Sequence, residues 1–103
     1  MKIIKCLTGL IEEELSDAKK YAELALTYAA EQPEAAKLFR ELSDEEMRHM
    51  ERLHKAAEKV IAEHRRTKGE PPAEMPAVYS FLHERQIALA KEVKVLQEMF
   101  DDR

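Results

Sequence analysis

A chain of 103 residues with 45% apolar residues at regular spacing is a single domain with one core, which excludes a disordered segment and leaves little room for an elaborate active site within one copy. Charged residues make up 37% of it, with 2 Gly and no Trp, a composition of long solvent-exposed helices rather than sheets. The formal net charge of -4 arises from 17 basic and 21 acidic residues scattered along the chain, with no basic stripe for nucleic acid.

The opening segment MKIIKCLTGLIEEE has its apolar run interrupted at Lys5 and meets three Glu from position 12, so it reads as neither a signal peptide nor a membrane span. Cys6 is a lone cysteine and forms no internal disulfide, which fits a reducing compartment, and a cytoplasmic location is the expectation. From Thr8 to Gln32 the apolar residues return every three or four positions without a proline. Leu7, Ile11, Ala18, Tyr21, Ala25 and Tyr28 form one stripe, which predicts an amphipathic first helix over about 8–32. Pro33 stands where a second helix begins, and the short turn makes the two helices antiparallel neighbours.

The second helix is predicted over about 34–68, ending at Gly69, with Ala35, Phe39, Leu42, Leu53, Ala56 and Val60 as its core stripe. At ~1.5 Å per residue it is roughly 50 Å long. Ser43 and Glu46 match a capping-box spacing, but without Gly or Pro beside them the helix is expected to continue. The proline-rich run GEPPAEMP is a connection, and a third helix is predicted over about 77–101. Its apolar positions, Val78, Phe81, Leu82, Ile87, Val93, Leu96 and Phe100 among them, spread over more than one stripe, so it touches two neighbours. The fold class is therefore all-α: a single domain over residues 1–103, built as a long antiparallel hairpin plus a third helix. Apolar surface left over in one chain points to a homodimer or larger homo-oligomer, with no nucleic-acid or membrane partner.

Continuing the two stripes in heptad steps places Glu14 in the first and both Glu46 and His49 in the second. A carboxylate in an apolar row is costly unless paired or metal-bound, so these three residues are the candidate metal ligands. Glu46 and His49 form a Glu-x-x-His pair on one helix face. The motif alone is weak, since 17 Glu and 4 His in 103 residues give about 0.7 such pairs by chance. A second pair, Glu51 with His54, lies five residues on and about 140° around the helix, which turns it toward the polar side. His54 and His64 are accordingly expected to be exposed, and Cys6 to be a small buried or terminal residue.

The runs EELSDAKKYAELA, from Glu13 to Ala25, and LFRELSDEEMRHMERLHK, from Leu38 to Lys55, resemble the first two helices of rubrerythrin-type ferritin-like proteins. The whole chain is also similar to small ferritin-like proteins of prophage type. The resemblance implies metal ligation by Glu14, Glu46 and His49, with Tyr21, seven positions after Glu14, hydrogen-bonding near the metal. It implies a ferritin-like bundle of four helices around a di-iron or di-manganese centre fed by two such hairpins. This chain holds the ligand set once, so the four-helix bundle and its centre would be completed by dimerisation, four carboxylates balancing two divalent ions. His83, Glu84 and Glu92 are the alternative ligands if the third helix contributes one. Iron is the expected metal, with manganese as the alternative and no organic cofactor. Ferroxidase, peroxidase or metal-storage activity is the implied chemistry, and no catalytic residue is assigned. The competing function is a metal-free helical scaffold or adaptor acting through its apolar surfaces.

Overall fold

The computed structural model describes residues 1–72 and 74–103 and consists of three helices: α1 (Lys2–Tyr28), α2 (Pro33–Lys68) and α3 (Glu74–Asp101). α1 and α2 form the antiparallel hairpin, and α3 returns parallel to α1 along its other flank. The molecule is an elongated rod of 55 × 19 × 18 Å. Among the described residues no helix is long and apolar enough to cross a membrane.

The helix ends follow from local chemistry. α1 starts six residues before the predicted position, the apolar residues Ile3 and Ile4 extending its pattern. It stops four residues earlier than predicted, at Tyr28, where the N–H of Gln32 closes the turn onto the Tyr28 carbonyl at 2.9 Å. Pro33 occupies the first position of α2, where its missing N–H has no helical acceptor to lose. Gly69 ends α2 with φ of 79°, a backbone conformation open to glycine, its N–H bonded to the Arg65 carbonyl at 3.1 Å. α3 begins at Glu74 rather than at 77 and takes Pro76 into its first turn. A proline there removes no hydrogen bond, because the first four N–H groups of a helix lack intrahelical partners.

α1 lies between the other two helices and carries most of the buried positions: Ile4, Ile11, Leu15, Ala18, Ala22 and Ala25. Its alanines allow close approach from two sides at once. α2 buries Ala36, Ser43 and Ala57, one step round from the predicted stripe of Ala35, Phe39, Leu42, Leu53, Ala56 and Val60, which is half-buried on one shoulder. The reason is the third helix. It draws the buried line of α2 toward itself, so the apolar stripe drawn for a two-helix contact ends up at the edge of the hairpin.

Ser43 shows the same effect. It does not break α2; its hydroxyl, fully buried, donates to the Ala18 carbonyl at 2.7 Å and accepts from Nε2 of Gln97 at 3.0 Å, so one side chain ties all three helices. A turn away, Arg40 grips Asp101 through two bonds of 2.9 Å and holds that carboxyl below the usual aspartate range. Removing one partner from a buried polar pair strands the other, at about 1–3 kcal/mol. Ser43→Ala should therefore lower unfolding stability by about that amount in urea titrations at fixed protein concentration. Adding Gln97→Leu should recover part of the loss, and additive losses in the double variant would show that the two side chains act separately.

Candidate metal centre

Glu14 on α1 and Glu46 and His49 on α2 come together halfway along the hairpin, each offering a ligand atom within 4.8 Å of the others. The antiparallel packing produces this meeting: one turn of α2 projects the Glu-x-x-His pair to one side, against a single position of α1. Nδ1 of His49 lies 3.4 Å from Oε2 of Glu14 and 3.8 Å from Oε2 of Glu46. Both carboxylates are half-buried, whereas the imidazole is more than half exposed.

Oε2 of Glu14 is shut away from solvent and, with both acids ionised, accepts no hydrogen bond. Buried carboxylate oxygens are ordinarily satisfied, so an orphaned one needs a cation or a proton. Glu46 shows the other half of the problem. Its carboxyl is pushed above the ordinary glutamate range, first by the Glu14 carboxylate with which its protonated form shares a hydrogen, then by burial and by the Glu14 charge; His49 opposes the shift. Two carboxylates and an imidazole with an unsatisfied inward oxygen form a donor set of the kind that iron and manganese accept, and lack the thiolates of structural zinc sites.

The cluster faces away from α3. On α1 the partners of α3 are Thr8, Glu12 and Lys19, which receive Gln86, Arg85 and Glu92. These positions lie roughly 120–160° around the helix from Glu14. The face that bears Glu14 also presents exposed Ile3, Leu10 and Tyr28 on α1, and Leu38 is exposed on α2. Half-buried Leu7, Tyr21 and Leu42 belong to the same surface. An acidic cluster thus sits within an open apolar face of the hairpin.

Tyr21 stacks on Phe39, with ring centroids 6.4 Å apart and an angle of 18°. Among the described hydrogen bonds none joins its hydroxyl to the cluster. The α3 candidates are elsewhere: Glu92 pairs with Lys19 at 3.1 Å, Glu84 is exposed, and His83 stacks on His54 with centroids 5.2 Å apart. This stack corrects the expectation for His54. Glu51 is exposed as predicted for the polar side, but His54 turns toward α3 and is half-buried, as is His64, because the third helix covers a flank that a two-helix wheel leaves to solvent. Cys6 is free and exposed, not buried.

No curated protein and no solved structure matches the chain. The family model described as Rubrerythrin matches residues 5–102, nearly the whole sequence and all three helices. The carboxylate–imidazole cluster on an antiparallel helical hairpin agrees with that match, and the chain belongs to the rubrerythrin family, within the ferritin-like superfamily.

Proposed function

We propose that the protein binds iron, with manganese as the alternative, through Glu14, Glu46 and His49, and that two chains join their open hairpin faces to build a centre of two metal ions. The observation that carries this reading is the three ligand atoms within 4.8 Å of one another, one of them a buried carboxylate oxygen without a partner. Membership of a family that usually binds iron supports the metal. The exposed apolar residues around the cluster support the second chain, since a two-fold copy would cover Leu10, Tyr28 and Leu38 while adding two carboxylates and one imidazole.

Each residue has a definite part. Glu14 and Glu46 supply negative charge at a place poor in water, and His49, at the more exposed edge, supplies a neutral nitrogen. Metal binding requires Glu46 to release the proton that its raised pKa favours, so affinity falls as pH drops. The bound iron would supply electron exchange with O2 or peroxide, the basis of ferroxidase, peroxidase or storage activity.

Elemental analysis of protein purified without chelator should give iron or manganese near one per chain. His49→Ala should lose it and His54→Ala should keep it. Equal loss in both variants would sink the assignment, and a wild-type chain that stays metal-free after anaerobic reconstitution would favour the scaffold reading.

Light scattering should give a dimer or larger at low protein concentration. Leu10→Asp with Leu38→Asp, on the open face, should shift it toward monomer and weaken metal retention together. A wild-type monomer, or a variant that stays dimeric with its metal, would contradict the shared centre.

The acid pair also sets a pH response of the metal-free protein. Because the folded-state pKa of Glu46 is raised above 4.5, folding favours its protonated form; that contribution is complete below 4.5 and is lost as pH climbs through the raised value. Urea unfolding with chelator present should show wild-type stability declining over that window, while Glu46→Gln stays flat across it. Parallel curves would mean that the two carboxylates do not face each other in solution.

A further inference from the structure

A second feature lies toward the end of the rod away from the α1–α2 turn, where α2 and α3 face each other. Near the α1–α2 turn these helices are clamped by Arg40 with Asp101 and by Ser43 with Gln97. Further along, the imidazoles of His54 and His83 stack across the gap at 5.2 Å. A cavity of about 390 Å³ adjoins this pair, walled by all three helices. Ile4, Ile11, Ala57, Ile61 and Leu82 give it an apolar interior. It shares no residue with the acid–imidazole cluster of Glu14, Glu46 and His49.

The polar groups around this cavity are unequal. His64, His83 and Arg65 bring nitrogen donors to it, while His54 is engaged by Glu58 and Gln86 by the Thr8 carbonyl, and Glu58 is the one acidic residue among the described lining residues. That carboxylate is already engaged, with Oε1 2.9 Å from Nδ1 of His54. Among the described residues Arg65, itself exposed at the cavity mouth, meets the exposed Glu70 at 3.6 Å, a solvent-screened pair that an anionic head can displace. An apolar interior with donors in excess is complementary to an apolar molecule bearing one anionic head. The cavity's volume lies at the low end of the range of roughly 300–1,000 Å³ for small-ligand pockets, which suits a short single chain.

We propose that this cavity binds a free single-chain carboxylate of about ten carbons, its tail among Ile4, Ile11, Ala57, Ile61 and Leu82 and its head toward Arg65 and His64. Burial of the tail removes apolar surface from water on both partners, and the fixed charge of Arg65 selects the head. The site does not depend on metal binding.

The test is titration of the ¹⁵N-labelled full chain with decanoate below its micelle concentration, beside decanol and decyltrimethylammonium. Decanoate should give saturable shifts at Ile4, Ala57, Ile61 and Leu82. Ala57→Phe, which fills the cavity, should weaken it at least tenfold while leaving iron binding unchanged, and Leu82→Trp serves the same purpose if the first variant does not fold. Arg65→Gln should weaken decanoate several-fold without altering decanol. Absence of saturable shifts, shifts centred on Leu10, Tyr28 and Leu38, equal affinity for the cationic amphiphile, or unchanged binding in a folded filled variant would each overturn the site.

Discussion

The structure depends on α1 being packed from two sides. Its fully buried Ala18, Ala22 and Ala25 leave room for α2 and α3 to approach the same helix, and Ser43 converts the resulting crevice into a bonded junction with Ala18 and Gln97. A large residue at Ala18 or Ala22 would push one neighbour away, since interiors at native density leave little space to absorb added volume. The junction also fixes rotation. Once the Ser43 face of α2 turns toward α1 and α3 together, Glu46 and His49 must emerge on the far shoulder beside Glu14.

That rotation explains which features were legible in the sequence. Heptad counting on α1 and α2 selected Glu14, Glu46 and His49 as polar residues in apolar rows, and those three do converge. Proline and glycine marked the hairpin turn and the end of α2, because both act through local backbone geometry. The burial of Ser43 and the stacking of His54 on His83 were not legible, since each arises from a third helix whose face cannot be phased from its broad apolar pattern. A serine three residues before a glutamate looks the same whether it caps a helix or crosses a core. The only hint was the lack of any accompanying helix breaker.

The early start of α3 has a similar origin. Pro72 and Pro76 argue for an extended connection when each is weighed alone, yet only an interior proline obstructs a helix; one within the first turn is compatible with it. Boundary errors of this kind leave the register of later positions intact. Phe100 still reaches the cluster of Ala25 and Ala36 at the closed end, and Asp101 still meets Arg40.

The apolar face and the acid pair together constrain what can cover the hairpin. A purely apolar partner would seal Glu14 and Glu46 from water and force both to be neutral or leave one charge buried. A partner bringing cations alone would satisfy the acids and leave Leu10, Tyr28 and Leu38 in water. A second hairpin carrying divalent metal meets both demands: its apolar residues cover their counterparts, and two metal ions offset four carboxylates. On the proposed shared centre, dimerisation and metal binding would be thermodynamically linked, each raising the affinity of the other by the same factor. Without metal the acid pair would resist enclosure, so such a coupling would favour assembly where metal is present over assembly on apolar contact alone.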